Sequence, residues 1–212
     1  MRRIAFAVCF AAALAASCFG QSWEFGGVGG AGFLSNVNVS GPTGSATAGL
    51  ETGAGFGGFI GQNLYSHISG EFHYMYFEDS FHIASGGTNA SFAGHSQVAH
   101  YDVLYHTNRR ESKMQMFVAV GGGLKDFRGT GAPEAYQQNY QFGYLTQTSQ
   151  LKPMADAGAG ARFEIAPRIF LRAEFRDFIT AFPTNVVAPA PGTKYGKILN
   201  DFVPMVSVSY EK

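Results

Sequence analysis

Charge is scarce in this 212-residue chain. Asp, Glu, Lys and Arg together make up 14 % of it, against roughly 25 % in an ordinary soluble domain. No charge of one sign dominates either: Lys+Arg and Asp+Glu are both 15. Without a basic excess there is no electrostatic footprint for nucleic acid. Cysteine is nearly absent, and Cys9 and Cys18 both lie in the first twenty residues. The rest of the chain therefore has no disulfide framework, thiolate metal site or cysteine nucleophile. Long hydrophobic runs are missing too. The apolar stretch Ile4–Ala16 spans about 13 residues, where a spanning helix needs about 20. What the chain does have is 28 Gly, 20 Phe and 10 Tyr with a single Trp. Many aromatics and few charges exclude disorder and suit an all-β protein whose surface does not mainly face water.

The first twenty residues read as an address. Arg2 and Arg3 precede the apolar run, and small residues follow at Ser17 and Gly20, the pattern of a secretory signal peptide over 1–20. Cleavage is expected after Gly20, with Ala16 as the other site. Ala15-Ala16-Ser17-Cys18 also resembles a weak lipobox, with Ala where Leu is usual. Loss of Arg2 and Arg3 leaves 13 cations against 15 anions in residues 21–212, a net charge of −2.

That remainder alternates with period two, the strand signal. Eight segments set an apolar parity against a polar or tiny one. Trp23, Phe25, Ala31 and Phe33 oppose Glu24 among glycines. Ala48, Leu50, Ala54, Phe56 and Ile60 oppose Gly49, Glu51, Gly53, Gly55 and Gly57. Ile68, Phe72, Tyr74 and Tyr76 oppose Ser69, Glu71 and His73, and Tyr101, Val103 and Tyr105 oppose His100, Asp102 and His106. Met114 to Leu124, Ala155 to Ile165, Leu171 to Phe175 and Phe202 to Tyr210 complete the set. Single charges among glycines suit a narrow barrel interior, with the apolar parity facing lipid. Short connections near 61–63, 108–110 and 166–168 alternate with long ones near 35–45, 79–96, 129–150 and 181–199. Outer-membrane barrels have short periplasmic turns and long outer loops. A soluble lipocalin-like barrel has no reason to sort them so. The expected fold is an all-β, eight-stranded antiparallel up-and-down transmembrane β-barrel over residues 21–212.

The chain resembles the small OmpA/OmpX-type outer-membrane β-barrel family. The resemblance lies in the leader running into Gln21-Ser22-Trp23-Glu24-Phe25-Gly26-Gly27, in Phe117-Val118-Ala119-Val120-Gly121-Gly122-Gly123-Leu124-Lys125, and in the ending Asp201 to Tyr210. It implies an outer-membrane location, with barrel-assembly machinery and periplasmic chaperones as partners during biogenesis. That family often ends in an aromatic, whereas Tyr210 here is followed by Glu211 and Lys212. No sequence remains for a peptidoglycan-binding domain.

The inward parity gathers Glu24, Glu51, Glu71, Asp102, Asp156, Glu164 and Glu174 against Lys125, Arg162, Arg172 and Arg176. An eight-stranded barrel is just wide enough for side chains to fill, and unpaired buried charge is costly. The expectation is a salt-bridged plug; a charged channel is the alternative. His100, Asp102 and His106 share one face with His73 across from them. His100 and His106 are roughly 20 Å apart along a strand, so one ion cannot bind both, and lumen hydrogen bonding is the expected role. Two Gly-rich runs (27–32 and 53–58) match G-x-G-x-x-G, but no helix follows them. His67, Ser69 and Glu71 resemble the His-x-Ser of outer-membrane lipid A deacylases, yet at the wrong end of the barrel for that chemistry. The sequons at Asn38 and Asn89 fall in expected loops. Tyr136, Tyr140, Phe142 and Tyr144 are either an adhesive surface or a strand extension. No catalytic residue, cofactor or metal is expected. The expected role is structural or surface interaction through the outer loops, by a monomer in outer-membrane lipid, with a small pore as alternative. Val118→Arg should harm assembly, and Gly121→Ser on the opposite parity should be milder.

Overall fold

Alternation with period two makes each strand two-faced, and a sheet with two incompatible faces either stacks on another or closes on itself. Here it closes. The computed structural model describes residues 22–108, 112–132 and 136–212. The expected signal peptide and the turn residues Arg109 and Arg110 lie outside the described residues. Eight strands form the ring: β1 (Trp23–Leu34), β4 (Gly53–Asn63), β5 (Ile68–Phe77), β7 (Thr88–His106), β8 (Met114–Gly129), β10 (Ser149–Ala166), β11 (Ile169–Ala181) and β14 (Ile198–Glu211). Each pairs antiparallel with the next in this order, and β14 closes on β1 with Phe25 opposite Tyr210 and Phe33 opposite Phe202. Closure removes the exposed edges that an open sheet would leave.

The outward parity is apolar along the ring. Phe25, Phe56, Phe72, Tyr101, Val118, Val120, Phe175 and Val206 are all exposed, as a wall against hydrocarbon requires. Strands of 9–11 residues span a bilayer, and every ring strand has at least 10. Val118 stands half-exposed within the outward apolar run Met114, Met116, Val118, Val120 and Leu124 of β8, opposite Tyr105 and Ala159. Val118→Arg is expected to cost roughly 2–4 kcal/mol, since a cation near the midplane must leave water. The measurement is the folded fraction after assembly into lipid vesicles, read as the heat-dependent shift in gel mobility. Assembly equal to the parent's would refute the outward assignment of β8.

One end of the ring carries short turns. The other carries an extension, in which Tyr144, one of the aromatics read as an adhesive surface or a strand extension, lies in a strand and Phe142 is buried. The second expected strand breaks at Glu51 and Thr52. Ala48 and Leu50 therefore leave the lipid-facing wall and belong to β3 (Gly44–Leu50), where both are buried. With β2 (Val37–Gly41), β6 (Ser80–Ser85), β13 (Lys194–Tyr195) and the outer part of β7, β3 builds a sheet in the order β13-β2-β3-β6-β7. A second small pair joins β9 (Gly143–Leu145) to β12 (Val187–Pro189). The β6–β7 hairpin closes on Gly86 and Gly87, at φ +58° and +83°. That is the two-residue turn whose left-handed residues match strand twist, and glycine adopts them without strain. Asn38 and Asn89, expected in loops, lie in β2 and β7. The extension has its own core, in which Val39, Ile83, Phe81, Phe142, Phe182 and Val187 pack together.

Candidate functional site in the barrel lumen

Inward side chains stack in tiers from the turn end outward. In the first, Glu24 of β1 receives Arg162 of β10 at 2.9 Å and the Ser209 hydroxyl of β14 at 2.5 Å. Arg162 also reaches Glu211 at 2.5 Å, and its guanidinium lies 3.7 Å above the Phe170 ring. Glu211, beyond the last aromatic, thus joins the lumen network. Its parity with Ser207 and Ser209 was the signal for it. Ser69 Oγ lies 2.9 Å from His106 Nε2, while His67 Nδ1 meets the His106 backbone carbonyl instead. Ser69 and His106 are both buried in the wall, which fits a structural hydrogen bond.

The second tier centres on Arg172 of β11. Its fork donates to both Glu71 oxygens at 2.8 and 3.0 Å, and it lies 3.1 Å from Glu174. Phe59 and Phe117 sandwich the guanidinium at 4.7 and 4.8 Å. A planar cation with five donors suits a site that is bidentate and stacked at once.

The third tier hangs on Arg176. It donates to Glu174, Asp102 and Asp156, each at 2.9 Å. Register sets His73 opposite His100, and their rings stack at 5.0 Å. His73 meets Glu71 at 3.0 Å and His100 meets Asp102 at 2.9 Å.

Above lies an apolar tier of Val28, Met75, Phe77, Val98, Phe178 and Val203, with Met154 and Met205. Lys125 closes it, paired with Asp201 at 2.7 Å and set over the Phe77 and Phe127 rings. Asp201, inward by its parity opposite Phe202, is a partner the sequence reading left out. Ser96 donates to the buried Asp79 beside them. The extension's core continues from there. In it Tyr195 donates to the Phe142 carbonyl, and burial pushes the Tyr195 hydroxyl up to about 12.

Nine of the eleven expected lumen charges meet in these tiers; two do not. Glu51 stands exposed in the break between β3 and β4, where Ser91 donates to it at 3.3 Å. The end of the strand at Leu50 releases its parity. Glu164 keeps its register opposite Phe170 but is exposed at the turn-end rim, just before the register shift between Glu164 and Ala166, beyond the reach of the paired tiers. Gly121 also departs from expectation. A Cβ there would strike Asp102, Asp156 and the Tyr101 carbonyl, so Gly121→Ser is a severe change rather than a mild one.

Comparison with known proteins gives a consistent picture. A family model described as the outer membrane protein beta-barrel domain matches residues 4–196. OprG from Pseudomonas aeruginosa is 10 % identical, with 91 % of this chain and 96 % of that one covered at a TM-score of 0.62. Neisserial surface protein A is also 10 % identical, with 90 % and 98 % covered at a TM-score of 0.55. No curated protein sequence matches. At these identities the likeness is one of fold.

Proposed function

We propose a surface-interaction role for this chain, which belongs to the family of outer-membrane protein beta-barrel domains. The barrel acts as a closed, lipid-embedded mount, and the folded extension is the part that meets partners outside the cell. Residues 1–20 direct secretion and are removed. Periplasmic chaperones and the barrel-assembly machinery then deliver the chain, which works as a monomer.

The observation that carries this reading is the filled lumen. Three charged tiers, an apolar tier and the extension's core follow one another among the described residues. A conducting path would need to hydrate groups that are already desolvated and paired, which is costly at every tier. The extension, by contrast, shows the outside Tyr136, Tyr140 and Tyr144, all exposed. Tyrosine provides contact area with little entropy to lose, which suits recognition.

Planar-bilayer recording tests the mount. The parent protein should show no steady channel, and a steady, large conductance would overturn this reading in favour of the pore. Protease added to intact cells should cut the extension and spare the turn end. Cutting at the turn end would reverse the orientation. A lipid A mass spectrum unchanged by expression of the protein is expected as well; an altered one would point to an enzyme.

A further inference from the structure

Five carboxylates in the connected lumen network, Glu24, Glu71, Asp102, Asp156 and Glu174, share three guanidinia, Arg162, Arg172 and Arg176. All eight residues are at most 5 % exposed. Glu211 adds a further carboxylate only at the rim, where its side chain is 19 % exposed. Two negative charges are thus left without a cation in a dry setting, where an uncompensated charge is expensive.

The shortfall is concentrated in the third tier. Asp102 and Asp156 lean on the same Nη1 of Arg176 through their Oδ2 atoms, and that guanidinium also serves Glu174. Their other oxygens point elsewhere. Asp156 Oδ1 is buried and accepts no hydrogen bond. Asp102 Oδ1 has His100 Nδ1 at 2.9 Å. Both Oδ1 atoms reach the same spot beside Gly121, the spot a Cβ on that residue would fill. One ring nitrogen of His100 and one carboxylate oxygen from each aspartate all lie within 4.8 Å of one another, and His100 Nδ1 stands 3.8 Å from Asp156 Oδ2.

We propose that His100, Asp102 and Asp156 bind one divalent transition-metal cation in the lumen. One imidazole nitrogen and two carboxylate oxygens form a donor set for Zn²⁺ or Mn²⁺. Ca²⁺ wants six to eight oxygens, which this tier does not supply. Metal–donor bonds of about 2.0–2.2 Å set tetrahedral donors about 3.3–3.6 Å apart, so His100 Nδ1 and Asp102 Oδ1, now 2.9 Å apart, would separate while the wider pairs close. Arg176 on the two Oδ2 atoms would hold the carboxylates from behind, and the His73 ring stacked on His100 fixes its plane. Such outer partners orient metal ligands. A charge of +2 brings the buried network to neutrality. With the lumen closed on both sides, the ion enters during assembly and serves the fold. It therefore extends the closed-mount reading without depending on the surface role.

Protons on His73 and His100 would supply the same two charges, and one experiment separates the sources. The full-length protein is assembled into outer membranes, extracted in mild detergent and washed with EDTA, and its metal content is measured by mass spectrometry. A second sample is unfolded in urea and refolded with EDTA, Zn²⁺ or Mn²⁺. The expected result is about one metal per folded chain, and an unfolding midpoint that is higher when the ion is present during refolding. Asp156→Asn should lose both the ion and the metal-dependent rise. In EDTA it should unfold no earlier than the parent, because it also removes one uncompensated charge. No metal in the parent and equal midpoints in all three refolding buffers would overturn the proposal and assign the balance to protons. Equal metal content in parent and Asp156→Asn would also overturn it, by placing the ion on other histidines.

Discussion

Arg172→Ala is expected to destabilise the barrel by about 3–5 kcal/mol, the cost of leaving a buried ionic partner behind. Arg172 is 1 % exposed. Its removal would strand Glu71, which loses two hydrogen bonds, and deprive Glu174 of a cation 3.1 Å away. It would also open a gap between the Phe59 and Phe117 rings that now sandwich it. Arg172→Lys restores the charge without the fork or the stacking plane, so it should recover only part of the loss. Urea unfolding in detergent micelles measures both variants, with Trp23, the single tryptophan, as the fluorescent reporter. An Arg172→Ala midpoint equal to the parent's would mean that water enters the tier and screens the carboxylates.

A loss of comparable size is expected in the apolar tier. Phe178 is fully buried, edge-on to Phe77 at 6.5 Å and to His100 at 5.2 Å. Its ring separates the charged tiers from the Lys125–Asp201 pair and the extension's core. Phe178→Ala should cost about 3–5 kcal/mol, from lost apolar burial and from a cavity that a rigid ring of strands cannot collapse to fill. The charged tiers beneath stay filled, so bilayer conductance should remain absent. Urea unfolding gives the first quantity and planar-bilayer recording the second. A loss under about 1 kcal/mol would show a loosely packed tier. A new conductance would show that Phe178 alone seals the lumen.

The sequence by itself determined which way the strands face. Period-two alternation is a local property, so Glu71, Asp102, Arg172 and Arg176 could be placed inward, and Phe72, Val118 and Phe175 outward, with no knowledge of their neighbours. It failed where the strand is interrupted. Glu51 and Leu50 lost their parity at a break, and Glu164 sits exposed at the rim where β10 ends. Pairing was beyond its reach. Glu71 meets Arg172 across 101 residues and Arg162 meets Glu24 across 138, and such partners follow from register summed around a closed ring. Gly121 shows the same limit. Its parity was legible, but the crowding by Asp102 and Asp156 comes from β7 and β10 on its two sides. The extension was hidden for a related reason. Val39, Phe81, Phe142 and Val187 come from four separate long connections, whose packing on one another no local pattern can show. They become one core because ring closure brings those connections to the same end of the barrel, where apolar side chains leave water by packing on one another.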